Sequence, residues 1–214
     1  MIRVDTSQGP VVVDVPENFT KVGVRISGGA DSAVLTYMLG LYKKNVRDIT
    51  IVPITIINAR KPHQHIIAAR VLDFISKELE IDFFKHQVMG EHAMPSEYVE
   101  AQKKFTRHLK NKGLVEYHFV GVTENPDVEL DKSGIYKALV ERDKSHGHKD
   151  TSHSTKAAPF ENIDKRGVAE LYQHYGLMDS LFPITRSCEN PFLHYDDLHC
   201  GDKCWWCLER QWGF

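Results

Sequence analysis

The first 187 residues of this 214-residue chain contain no cysteine, and no part of it stays apolar for long. The most hydrophobic run, Ile49 to Ile57, is interrupted by Thr50, Pro53 and Thr55. It falls far short of the ~20 residues that a bilayer span needs, so no membrane partner is expected. Neither sign of charge dominates. Lys and Arg number 27 against 29 Asp and Glu, a formal charge of -2, so no overall field draws the chain to nucleic acid or an anionic surface. The N-terminus, Met1-Ile-Arg-Val-Asp-Thr6, lacks the basic-then-apolar order of a secretory signal. A cytoplasmic location with reduced thiols is therefore expected. No internal repeat is present. The composition, 42% hydrophobic, 26% charged and 10% aromatic, excludes a disordered, collagenous or coiled-coil chain, and the length suits one domain with a small appendage.

Residues 1–20 carry Val11-Val-Val-Asp-Val15 after the turn signal Gly9-Pro10 and read as a hairpin or edge strand. From Lys21 the pattern becomes strand, glycine turn, helix: Val22–Ile26, then Ser27–Ser32, then Ala33–Tyr42. The β-branched run Ile49–Ile57 precedes helical spacing over His65–Glu80, Ile81–Val88 is a third strand, Ser96–Asn111 a helix, and Tyr117–Val122 a fourth strand. Strands alternating with helices predict an α/β fold with a doubly wound, mainly parallel sheet, because each parallel connection needs a crossover. The polar stretch Ser145–Lys156, which includes His146, His148 and His153, reads as a mobile loop and a candidate lid. Lys165–Tyr175, capped by Asp164, is a last helix. The expected division is a hairpin at 1–20, an α/β domain at 21–180 and a cysteine-bearing segment at 181–214.

In an open parallel sheet, ligands sit beyond the carboxyl ends of strands, and the first strand-to-helix turn is the usual place. Gly28 and Gly29 permit close approach, the amides up to Ser32 can face an anion, and the next helix adds its positive end. Ser27 and Ser32 offer hydroxyls, and Asp31 could orient the loop or help hold Mg²⁺. The string S-G-G-x-D-S, between a β-branched strand and a helix, resembles the signature of the PP-loop ATP pyrophosphatases. It lacks the Lys-Ser/Thr pair of a Walker loop and is not G-x-G-x-x-G. The resemblance implies that Ser27, Gly28, Gly29, Ala30, Asp31 and Ser32 bind ATP with its α-phosphate open to attack, so that an acceptor becomes adenylated.

Cys188, Cys200, Cys204 and Cys207 are spaced C-x11-C-x3-C-x2-C. Cys204-Trp-Trp-Cys207 is a knuckle, and with the other two it forms an S₄ set that suits one structural Zn²⁺ per chain. Two disulfides, an iron–sulfur cluster, or three cysteines with His194 or His199 are the alternatives. Within the PP-loop proteins, this run followed by Arg210 resembles 7-cyano-7-deazaguanine synthase, the ligase of queuosine and archaeosine precursor synthesis. Arg60, His63 and Ala68-Ala-Arg70, Gly121-Val-Thr-Glu-Asn125, and Pro159-Phe-Glu-Asn-Ile-Asp-Lys165 resemble further segments of that family in the same order. Asn58-Ala-Arg60 replaces its Tyr-Gly-Gln, its Gly-Arg-Asn has no counterpart near Ser96–Gln102, and the Cys200–Cys204 gap is one residue longer.

This likeness implies a ligase that adenylates a carboxylate, 7-carboxy-7-deazaguanine or a related deazapurine, and converts it with ammonia to an amide and then a nitrile. ATP with Mg²⁺ is the energy source, and a homodimer is compatible with the reading. Asp31 and Ser32 join Lys165 and Arg60 as candidate catalytic residues, with Arg186 behind them. Glu124 and Asp127 are candidates for Mg²⁺ or the acceptor, and Trp205-Trp206 reads as packing. Two rivals stand beside it: a PP-loop thiolase acting on tRNA or a small molecule, and a zinc-ribbon module binding nucleic acid or protein. The neighbourhood of the cysteines, Asp196-Asp197 and Asp202 against Lys203 and Arg210, has no basic stripe, so nucleic acid is not the expected partner.

Overall fold

The computed structural model describes residues 1–58, 61–92, 95–126, 130, 155–189, 199–200 and 204–214. β1 (Ile2–Thr6) and β2 (Gly9–Val13) form an antiparallel hairpin with Val4 opposite Val11. It makes a separate sheet rather than an edge strand, and the turn lies at Ser7-Gln8, one step before Gly9-Pro10.

A second sheet is parallel throughout. It contains β3 (Lys21–Arg25), β4 (Thr50–Asn58), β5 (Gln87–His92), β6 (Tyr117–Phe119) and β7 (Lys156–Ala157) in the order β5-β4-β3-β6-β7. The α-helices among the described residues are α1 (Ala30–Asn45), α2 (Gln64–Leu79), α3 (Pro95–Asn111), α4 (Lys165–His174) and α5 (Trp205–Gly213). The period of two along each strand divides the core. Val22, Val24, Ile51, Tyr117 and Phe119 pack with α1, α2 and α4, while Val52, Ile54 and Ile56 pack with Ala101 and Leu109 of α3. Helices therefore cover both faces, as the alternating pattern requires.

Two strand boundaries differ from the sequence expectation. Ile81–Val88 does not pair throughout. Phe84 donates to the Ile51 carbonyl at 2.9 Å, and the regular ladder begins only at Gln87, because Asp82, Phe84 and Lys85 lie exposed along the edge. The fourth strand stops at Phe119, after which the Val120 amide turns to the Ala157 carbonyl at 3.0 Å. Lys156, expected at the end of a mobile loop, is instead a strand residue opposite His118. The rest of that expected loop, residues 145–154, lies outside the described residues.

The hairpin turn has a structural task. Gln8 and Asp164 exchange two hydrogen bonds, Nε2 to Oδ1 at 2.7 Å and the Asp164 amide to Oε1 at 2.8 Å, and Ser7 donates its amide and hydroxyl to Glu170. These contacts seat the hairpin on the first turn of α4. Asp164 caps that helix as expected, its carboxylate accepting from the Arg166 amide.

On the α3 side, buried His118 places Nδ1 3.0 Å from the Thr155 carbonyl, so that nitrogen carries the proton. Burial, reinforced by Arg25 and Lys110, pushes its pKa down from 6.5 to about 3. The imidazole is therefore neutral in the fold while the unfolded chain takes up a proton below 6.5. Its stabilising effect is complete above that value and is lost as pH falls toward 3. His118→Asn should remove about 2 kcal/mol of the stability difference between pH 7 and pH 5. Urea midpoints of both proteins at the two pH values measure this; equal pH slopes would refute it.

Candidate nucleotide and metal site

The chain runs from β3 to β4 and β5 on one side, then returns to the other side of β3 at β6. The carboxyl ends of β3 and β6 thus flank the crevice where strand order reverses. The turn Ser27–Gly29 leaves β3 there. Gly28 has φ +77°, and a Cβ on it would come within 2.7 Å of the Ile67 side chain and 3.0 Å of the Ala68 nitrogen, so the turn packs directly on α2. From the other strand, Gly121 lies against the backbone of Asp31, where a Cβ would be 3.2 Å from the Asp31 carbonyl carbon.

The serines close the turn on itself. Ser32 Oγ donates to the Gly29 carbonyl at 3.1 Å and accepts from the Ser27 amide at 3.1 Å. Ser27 Oγ then donates to Ser32 Oγ at 3.1 Å and accepts from the Gly29 amide at 3.3 Å. Both hydroxyls are thus engaged inside the loop rather than turned outward for a ligand. What the loop offers instead is main chain. Gly29 is the N-cap of α1, so the first-turn amides of the helix have no intrahelical partner and carry the positive end of the dipole.

Asp31, half-buried in that turn, accepts a hydrogen bond from Lys165 Nζ at the start of α4. Lys165 Nζ also lies 3.6 Å from Glu209 Oε2 of α5, and the side chains of Lys165 and Glu209 are only 7% and 6% exposed. Burial alone would lower the lysine's pKa, but the two carboxylates outweigh it and raise it, so the ammonium stays charged. The second oxygen of Asp31, Oδ1, is buried with no hydrogen-bond partner among the described residues.

The four cysteine sulfurs all lie within 4.8 Å of one another, with Cys200–Cys207 at 3.6 Å and Cys188–Cys204 at 3.8 Å. Four thiolates at about 2.3 Å around one tetrahedral ion stand about 3.8 Å apart, so the set fits a single metal ion. None of the four is in a disulfide. Burial and neighbouring thiols push the Cys200 thiol up to about 12. A metal would therefore displace protons on binding.

The cysteine segment and the glycine turn are joined. Cys204 begins α5, and buried Arg210 of that helix donates to Thr185 Oγ1 at 2.7 Å and the Phe182 carbonyl at 2.8 Å, its guanidinium lying 3.7 Å over the Phe182 ring. The segment it holds returns the Arg186 amide to the Gly28 carbonyl at 2.8 Å. Ser27, Lys61, His63, Gln64, Ile67, Arg186 and Cys188 line one narrow cleft.

The structure thus brings together Ser27, Gly28, Gly29, Ala30, Asp31, Ser32, Lys165, Arg186 and the four cysteines. Glu124 is exposed, its amide bonded to the Ile163 carbonyl at 2.9 Å. Trp205 is buried, and its ring stands at 88° to that of Trp206. Arg60, Asp127 and His194 lie outside the described residues. Sequence reasoning missed Glu209, Lys61 and Glu189, since single charged residues in helices and loops carry no spacing signal.

No protein-family model matches the chain, and no curated protein matches it. Among solved structures it is similar to the U34-tRNA thiolase NcsA from Methanococcus maripaludis, determined with its 4Fe–4S cluster. The TM-score is 0.51 and the identity 18%, over 94% of this chain and 66% of that one. The two share an α/β fold, and this chain spans just under two thirds of the thiolase's length.

Lys165→Met removes the ammonium that Asp31 and Glu209 share. It should cost about 3–5 kcal/mol of folding stability, and adding Glu209→Leu should recover part of the loss. Urea denaturation of the single and double variants checks this; a neutral single substitution would show that the three groups are not coupled.

Proposed function

We propose that this chain is a PP-loop ATP pyrophosphatase that activates an acceptor by adenylating it. The observation that carries the reading is the serine-locked turn Ser27–Ser32 at the sheet's switch point, leading into the start of α1, with its Asp31 held by buried Lys165. The turn's amides would bind the triphosphate, and Lys165 with Arg186 would balance charge on the α-phosphate during attack. Mg²⁺ carried by the ATP would neutralise the pyrophosphate as it leaves, and the unpartnered Asp31 Oδ1 is the oxygen available to it.

The acceptor we favour is a carboxylate of the deazapurine class, as in 7-cyano-7-deazaguanine synthase. A carboxylate oxygen attacks the α-phosphorus and pyrophosphate leaves; ammonia then displaces AMP from the acyl adenylate to give an amide. A second ATP adenylates the amide oxygen, and loss of AMP with two protons leaves the nitrile. The chain's part is to hold both reactants and keep water out. The closed S₄ set supports this reading, because the four sulfurs fit one ion such as Zn²⁺ and leave no thiol to carry sulfur. A four-iron cube, with one thiolate on each iron, would spread them beyond the observed 4.8 Å.

Sulfur transfer is the second reading. It is favoured by the cleft that Cys188 shares with Ser27, and by the fold shared with a tRNA thiolase.

Purified protein given ATP, ammonium and a carboxylated deazapurine should release pyrophosphate and AMP, and Asp31→Ala should lower the rate at least about 100-fold. Metal analysis should find one zinc per chain. Iron with inorganic sulfide, and turnover only with a sulfur donor, would replace the ligase by the thiolase.

A further inference from the structure

We propose that Lys61 is a phosphate ligand of the nucleotide site, held on Glu189 until a nucleotide arrives. This inference rests on the nucleotide reading above and adds to it a residue from the turn between β4 and α2. There the Lys61 amide donates to the Asn58 carbonyl at 2.7 Å, and the Lys61 carbonyl accepts from the Gln64 amide at 3.0 Å. The side chain enters the cleft that Ser27, Arg186 and Cys188 also line.

There Lys61 Nζ lies 2.9 Å from Glu189 Oε1 and 5.6 Å from the centre of the Trp206 ring. The Glu189 side chain is 8% exposed and that of Lys61 20%. Glu189 Oε2 is buried without a hydrogen-bond partner among the described residues, so the carboxylate is desolvated but only half used. A pair that satisfies one oxygen of two recovers only part of its desolvation cost, which makes its lysine exchangeable. Glu189 nevertheless outweighs the effect of burial and keeps Lys61 protonated. Lys61 and Lys165 also repel each other. Lys61 and Lys165 thus sense each other's charge near one glycine turn, an arrangement that favours a polyanion, and a triphosphate offers more charge than one carboxylate.

The competing account makes Lys61–Glu189 a structural tie between the turn before α2 and the cysteine segment. The two accounts differ in the sign of one substitution. If Glu189 only stores the lysine, Glu189→Gln frees it and tightens nucleotide binding; if the pair is structural, the same change loosens the site.

The experiment titrates the metal-loaded full chain with α,β-methylene-ATP and Mg²⁺, comparing wild type, Lys61→Gln, Lys61→Arg, Glu189→Gln and the double variant. Melting curves confirm that each is folded, and the double variant removes any unpaired buried charge. Lys61→Gln should weaken binding about tenfold or more, Lys61→Arg should restore most of it, and Glu189→Gln should tighten it only when Lys61 is present. Wild-type binding with no loss in Lys61→Gln, or loosened binding in Glu189→Gln, would overturn the role of Lys61 and leave the nucleotide reading intact. A wild type that binds no nucleotide would overturn that reading, and the role of Lys61 with it.

Discussion

A lysine ammonium enclosed by two carboxylates, far from water, is the contact on which the site depends. An ammonium in a protein interior is tolerated only where carboxylates reach it with good geometry. Lys165 meets this condition with Asp31 from the first turn of α1 and Glu209 from α5. No two of the three are near in sequence except through the fold, so the contact exists only when the sheet, α4 and α5 are all in place. The hairpin belongs to the same arrangement, since Gln8 pins Asp164, the residue before the lysine.

The cysteine segment supplies the counter-ions of the glycine turn. Glu189 follows Cys188, and Glu209 lies two residues beyond Cys207. Glu189 and Glu209, each paired with a lysine near the turn, thus lie within two residues of one of the four clustered sulfurs, and Arg186, whose amide bonds the Gly28 carbonyl, lies two residues before Cys188. An ion that draws the sulfurs together fixes those residues as well. A single ion held by all four sulfurs would act as a positioning device rather than a reagent: its binding energy would become folding energy, spent on the geometry of the proposed phosphate site.

Those parts of the fold that depend on repeated local patterns were legible in the sequence. β-branched runs alternating with helical spacing are what a parallel sheet covered on both faces must show, and Gly28 sits where no side chain fits. The boundaries of β5 and β6 were less legible, because Ile81–Phe84 has the composition of a strand while its place at the sheet edge decides which residues pair. β7 was invisible: Lys156-Ala157 is too short to show a strand pattern and pairs because it lies beside the edge of β6. Lys165 could be nominated from a family segment, but its partner Glu209 could not. The pairing of a lysine in one helix with a glutamate in another is set by helix packing, and no periodicity in either helix records it.

The inward orientation of Ser27 and Ser32 changes how the turn would recognise phosphate. Hydroxyls that already satisfy each other would have to break those bonds to reach a ligand and would return little net energy. Backbone amides at a helix start carry no such penalty, since their partners are absent by construction, and they are already oriented. The serines therefore contribute by freezing the turn before the anion arrives, which removes an ordering cost from binding. Recognition through main chain would make the turn less tolerant of substitution at Gly28 than at its hydroxyls. A Cβ at Gly28 collides with Ile67 and displaces every amide beyond it, whereas a lost hydroxyl leaves them where they are, only less firmly held.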